Sequence, residues 1–135
     1  MASNQRQLTE VKTPGFRPKK PARFSRRQEP GYLINGRIWM EKNGELYMGW
    51  GRAMLLENID RLGSIAAAAR AMKLSYRNAW LWIEAMNRLS PAPLVDKMTG
   101  GAGGGHAWLT EEGRRVLNRY MEMRARFQDF LKQLR

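Results

Sequence analysis

The spacing of apolar positions changes period several times along the chain. In residues 33–48, Ile38 and Met40 alternate with Trp39 and Glu41, and Leu46 and Met48 flank Tyr47. Asn43-Gly44 separates the two runs, and both residue types tolerate positive φ, so the stretch predicts a β-hairpin. The period then becomes helical. Over 51–62, Leu55, Ile59 and Leu62 fall at i, i+4 and i+7, one apolar stripe of a helix. Gly63 suits the stop of that helix and Ser64 the N-cap of the next. Residues 65–72 are rich in alanine, so they predict a short helix that a neighbour can approach closely. Lys73-Leu74 forms a tight connection, and Ser75 is a second N-cap eleven positions after Ser64. Residues 76–89 predict a third helix with Tyr76, Ala79/Trp80, Ile83 and Met86 on its apolar side. Pro91 and Pro93 end it, because each lacks the N–H that a continuing helix uses.

Beyond the prolines, 94–98 suits a short strand, 99–105 a glycine-rich loop and 106–109 the returning strand. Thr110 caps a final helix and places Glu111 and Glu112 in its first turn, where the helix dipole favours negative charge. Val116, Tyr120, Met123, Phe127, Phe130 and Leu134 follow a 4-3-4-3-4 spacing, the seam of a coiled coil. Some 25 residues at ~1.5 Å each give about 37 Å, more than a domain of this size needs. The seam either covers the chain's own core or is partly exposed. The length favours exposure and a homodimer.

Composition narrows what such a domain can do. The chain has 135 residues, with 24 Lys+Arg against 12 Asp+Glu, a formal net charge of +12. That balance points to polyanions: DNA, RNA or an anionic membrane surface. The charge is unevenly distributed. Residues 1–30 hold eight basic residues, two acidic ones and four of the six prolines. With few large apolar residues, that segment predicts a flexible basic arm. The arm is either a tether to phosphates or a tail that raises solubility. The absence of cysteine excludes disulfides and thiolate chemistry, which is compatible with a reducing cytosol and a cytoplasmic, nucleoid-associated place. A single histidine excludes a histidine metal cluster, and no cofactor is expected. No apolar run approaches the ~18–20 residues of a membrane span, and the N-terminus lacks the apolar core of a secretory signal.

Two short helices joined by a tight turn read as a helix-turn-helix, and a hairpin just after the second reads as a wing. The second helix would enter the major groove by its first turn, making Tyr76, Arg77 and Asn78 the base-reading candidates. Arg pairs with guanine and Asn with adenine. Tyr76 equally suits the start of the core stripe. Ser64 and Ser75 place helix N-termini where phosphates can sit. Thr99, Gly101 and Gly103 form a wing tip able to approach a minor groove, with Lys97 and His106 at its edges. Leu81 and Trp82 lie beside the stripe and suit contact with the wing, the first hairpin or another subunit. The glycine loop is not a nucleotide-binding motif: it lacks the Gly-Lys-Ser/Thr ending of a Walker loop, and the strand and helix order of a dinucleotide fold is missing. No Asp, Glu, His and Ser set has catalytic spacing, so an enzyme is not expected.

The blocks Gly63-Ser-Ile-Ala-Ala-Ala-Ala-Arg70, Ser75-Tyr-Arg-Asn-Ala-Trp80, Thr99-Gly-Gly-Ala-Gly-Gly-Gly105 and Leu109-Thr-Glu-Glu-Gly113 together resemble the N-terminal DNA-binding domain of the ModE-type molybdate-responsive regulators. More distantly they resemble the helix-turn-helix of LysR-type regulators. The resemblance covers about residues 33–130. It implies a prokaryotic winged helix that binds double-stranded DNA as a dimer, regulates transcription and begins its recognition helix at Ser75. It does not extend to molybdate sensing, which such regulators place in separate C-terminal domains, so any small-molecule effector is unknown. Residues 1–30 lie outside it. The expected organisation is a basic arm over 1–30, a winged helix-turn-helix over 31–109 and a dimerising helix over 110–135. The fold class is mainly α with small β-hairpins. The expected function is sequence-specific transcription regulation, and the alternative is a weakly specific nucleoid-type or RNA-binding protein.

Overall fold

Turn and cap chemistry sets the element boundaries. The structure, a computed structural model, describes residues 31–98 and 105–134. The 1–30 arm and the wing-tip residues Thr99, Gly101 and Gly103 lie outside the described residues. The first hairpin pairs β1 (Met40–Lys42) with β2 (Glu45–Met48). Asn43 and Gly44 take φ of 53° and 77° in its turn, as the sequence predicts. The ladder starts at Met40 and shifts register between Met40 and Glu41; Ile38 precedes it, so β1 is shorter than the apolar alternation suggests.

Helix α1 (Trp50–Leu62) buries Ala53, Leu55, Leu56 and Ile59. Leu62 belongs to the predicted stripe yet is 38% exposed, because the helix ends there. Gly63 turns left-handed at φ 69° and returns its N–H to the Ile59 carbonyl. Ser64 caps α2 (Ile65–Ala71), its Oγ accepting from Ala67 N at 3.2 Å. Lys73, at φ 54°, makes the turn, and Leu74 N donates to Ala69 O at 2.9 Å. Ser75 then caps α3 (Tyr76–Leu89), accepting from Asn78 N at 3.1 Å. Helices α2 and α3 meet through a core containing Ala68, Ala69 and Ala79, where short side chains permit close approach.

The second hairpin pairs β3 (Val95–Met98) with β4 (His106–Leu109). Ala107 N donates to Gly63 O at 3.0 Å, which ties β4 to the α1–α2 junction. The Asn87 side chain ties β3 to α3: its Oδ1 accepts from Leu94 N at 2.8 Å and its Nδ2 donates to Val95 O at 3.3 Å. Helix α4 (Glu111–Gln133) is capped by Thr110, whose Oγ1 accepts from Gly113 N and donates to Pro93 O. A Cβ at Gly113 would lie 2.1 Å from the Leu94 carbonyl oxygen, so only glycine allows the helix this close to β3. From Leu33 onward the chain forms one unit. Tyr120, Met48, Leu55, Leu56, Ile59, Met86 and Leu94 are its largest fully buried side chains.

The order α1, α2, turn, α3, hairpin, long helix is a winged helix-turn-helix with small hairpins. The α4 seam is divided. Val116 and Tyr120 are 4% and 1% exposed and belong to the chain's own core, which corrects their reading as dimer contacts. Tyr120 also donates its hydroxyl to Ile38 O at 3.0 Å, and burial pushes its phenol up in pKa. Met123 and Phe127 are half-buried, while Phe130 and Leu134 are 53% and 45% exposed.

Candidate nucleic-acid interface

Helix α3 buries Ala79, Ile83, Met86 and Leu89 and turns Arg77, Leu81, Glu84 and Arg88 outward, all exposed. Tyr76 and Asn78 are exposed beside them. Tyr76, which fits either the core stripe or the surface by sequence, is 53% exposed. The cap geometry accounts for this, since the first residue after Ser75 precedes the buried row that starts at Ala79.

The charges along this face are graded. Arg77 lies in the first turn of α3 and makes no ion pair among the described residues. Farther along, Glu84 would repel a phosphate. Arg88 forms a two-pronged pair with Glu45 at 2.9 and 3.1 Å. That hydrogen bond, and then the Arg88 charge, hold the Glu45 carboxyl below its ordinary pKa. An exposed pair of this kind adds little stability, but it occupies the guanidinium. The N-terminal turn of α3 is therefore the part suited to meeting an anion.

Strand alternation decides where the wing side chains point. Lys97 pairs across to buried Ala107, and Met98 pairs across to His106. Lys97 therefore shares a face with Val95, Ala107 and Leu109, whereas Met98 and His106 occupy the other. The structure separates two residues that the sequence groups together. The Lys97 ammonium lies 3.6 Å from the centroid of the Trp80 ring. Trp80 in turn meets the Tyr76 ring edge-on, with centroids 6.3 Å apart and planes at 82°. Lys97, Trp80 and Tyr76 thus form a continuous run from the wing strand to the first turn of α3. A cation over an aromatic face gains about 0.5–1 kcal/mol at exposed sites, enough to bias the position of the ammonium. Trp80 is half-buried against the core, as expected, and also carries this bridge.

Ser75 is exposed and Ser64 half-buried. Trp82 lies against the first turn of α1, where a Cβ on Gly51 would meet its ring at 3.3 Å. It lines a cleft with Trp39 and Leu46 of the first-hairpin region, one of the contacts that its place beside the stripe suggests. Leu81 is 50% exposed.

Two cations were not singled out from the sequence. Arg70 near the end of α2 and Lys73 in the turn are exposed and unpaired with any carboxylate among the described residues. Their signal was their position, Arg70 in the last turn of α2 and Lys73 in the α2–α3 turn itself. With Arg77 and Lys97 they give four unneutralised cations on the helix-turn-helix and wing. Among the described residues no cluster of His, Cys, Asp and Glu is able to hold a metal, and no helix is long and apolar enough to cross a membrane.

The chain matches no protein-family model. It is 45% identical over 83 residues to the molybdenum transport protein ModE of Azotobacter vinelandii, covering 62% of this chain and 31% of that protein. It is 44% identical over 75 residues to the transcriptional regulator ModE of Haemophilus influenzae, covering 56% and 29%. It is 45% identical over 69 residues to the DNA-binding transcriptional dual regulator ModE of Escherichia coli K12, covering 51% and 26%. The chain spans less than a third of the length of these curated relatives.

Proposed function

We propose, from the premise that this winged helix is of the ModE type, that the chain is a transcription regulator that reads a specific sequence in double-stranded DNA. The observation that carries the reading is the first turn of α3. It presents Tyr76, Arg77 and Asn78 to solvent, and the wing's Lys97 lies over Trp80 of the same helix. The turn enters the major groove. Arg77 and Asn78 contact base edges there, with side chains whose donor and acceptor patterns distinguish guanine and adenine. The exposed Ser75 hydroxyl, the α3 N-terminus, Lys73, Arg70 and Lys97 hold phosphates. Tyr76, fixed against Trp80, packs on the backbone or a thymine methyl.

His106, with Thr99, Gly101 and Gly103 at the wing tip, contacts the backbone or minor groove. Ser64, half-buried beside the root of the wing, keeps its capping role. Residues 1–30 add affinity without sequence information, because contacts to phosphate carry none.

The same premise gives a homodimer. Phe130 and Leu134 are exposed near the end of α4, with Phe127 and Met123 half-buried beside them. Large apolar groups grouped on one helix favour a partner helix, and two copies would present two recognition helices to a two-fold site. Selection from a pool of random duplexes tests the function. Repeated rounds should enrich one motif with two related half-sites. A pool that binds but stays random would establish the weakly specific nucleoid-type alternative instead.

A further inference from the structure

The segment before and including the first hairpin, the start of α1, Trp82 of α3 and the middle of α4 enclose a half-open cleft of about 970 Å³. That is within the size range of small-molecule sites, roughly 300–1,000 Å³. Its walls carry Trp39, Trp50 and Trp82 and the three cations Arg37, Arg52 and Arg124, and no Asp or Glu lines it. Two hairpin carboxylates lie outside the lining: Glu41 accepts from the indole of the wall residue Trp39 at 3.0 Å, and Glu45 pairs with Arg88 and also acts electrostatically on Arg52.

Two of the three guanidinium groups, those of Arg52 and Arg124, have defined contacts. Arg124 lies over the Trp50 ring, its Cζ 3.9 Å from the centroid, and makes no ion pair among the described residues. Arg52 donates through Nη1 to Leu46 O at 2.6 Å, while its buried Nε has no acceptor. A buried donor without a partner is costly, so Arg52 is a guanidinium whose hydrogen-bonding capacity the fold itself does not exhaust.

We infer that this cleft is a binding site for a small planar aromatic carboxylate, held between the tryptophan faces with its anionic group on Arg52, Arg37 and Arg124. Charge complementarity selects the occupant. A neutral apolar molecule would leave Arg37 and Arg124, which make no ion pair among the described residues, without a counter-charge. A simple inorganic anion would leave the aromatic walls uncovered. The site joins α1 to α4, so an occupant would bear on the spacing of the helix-turn-helix and the long helix. The inference does not depend on DNA binding.

Intrinsic tryptophan fluorescence of the full chain, titrated at fixed ionic strength, tests it with three probes: 2-naphthoate, the neutral alcohol 2-naphthalenemethanol, and sulfate. Naphthoate should bind at least about tenfold more tightly than the alcohol, the scale of a charge-assisted hydrogen bond. Sulfate should leave the fluorescence unchanged. Arg124→Ala and Arg37→Ala replace side chains on the cleft wall, and folding is checked by circular dichroism. Each should weaken naphthoate about tenfold and leave the alcohol unaffected. Equal binding of acid and alcohol, no binding, or variants that bind as tightly as the parent would overturn the assignment. So would naphthoate binding that vanishes as rising protein concentration drives self-association, which would make a second copy of the chain the occupant.

Discussion

Asn87 is a single side chain on which the placing of the wing depends. It sits near the end of α3 and reaches the start of β3. Its Oδ1 accepts from Leu94 N at 2.8 Å and, more weakly, from Val95 N at 3.4 Å. Its Nδ2 donates to Val95 O at 3.3 Å. Leu94 is fully buried, so water cannot replace the lost acceptor. Asn87→Ala removes one good hydrogen bond, about 1 kcal/mol net, and leaves a buried N–H unpaired, a further ~1–2 kcal/mol. The expected loss is therefore about 2–3 kcal/mol. For a domain near 100 residues this lowers the thermal midpoint by roughly 8–24 °C. Asn87→Asp keeps the acceptor but loses the donor to Val95 O, so its midpoint should fall between those of the parent and the alanine variant. Thermal and urea unfolding followed by circular dichroism measure both. An alanine variant within about 0.5 kcal/mol of the parent, the range of ordinary surface changes, would refute the claim that Asn87 fastens the wing.

Three further outcomes follow. Gly113→Ala places a methyl 2.1 Å from the Leu94 carbonyl. Because the obstacle is backbone, it should destabilise by at least ~1–3 kcal/mol in urea unfolding. Lys97→Ala should weaken binding to specific and random duplexes alike, and lower the slope of log affinity against log salt by about one. An unchanged slope would separate Lys97 from phosphate. Phe130→Ala with Leu134→Ala should shift sedimentation toward the monomer at equal concentration without loss of helix content, since both side chains are about half exposed.

Local rules carried most of the architecture. The Asn43-Gly44 turn, the Gly63 stop and the Ser64, Ser75 and Thr110 caps all depend on interactions within a few residues, and all stand where the sequence places them. What sequence could not supply came from tertiary packing. The 4-3-4 spacing of α4 is equally satisfied by a core and by a partner, and only the packing of 36–38 and the rest of the domain assigns Val116 and Tyr120 to the core. The Lys97–Trp80–Tyr76 run joins two elements, so no spacing in either one announces it. Lys97 and His106 look equivalent as flanks of a loop, yet the strand register sends them to opposite faces. Arg70 and Lys73 were not marked by their spacing, and it is the short α2–α3 connection that gathers them and Arg77 into one helix-turn-helix. The three arginines of the cleft are likewise scattered at 37, 52 and 124 and meet only in the fold.

The most direct test of the DNA-reading claim measures Arg77→Ala on two duplexes, the selected site and a scrambled one, at ~150 mM salt. The parent should prefer the selected site by ~10³-fold or more. The variant should lose ~1–3 kcal/mol on the selected site and much less on the scrambled one, so that the preference falls and one base position relaxes. Equal losses on both duplexes would contradict base reading by the first turn of α3 and reduce Arg77 to a phosphate contact.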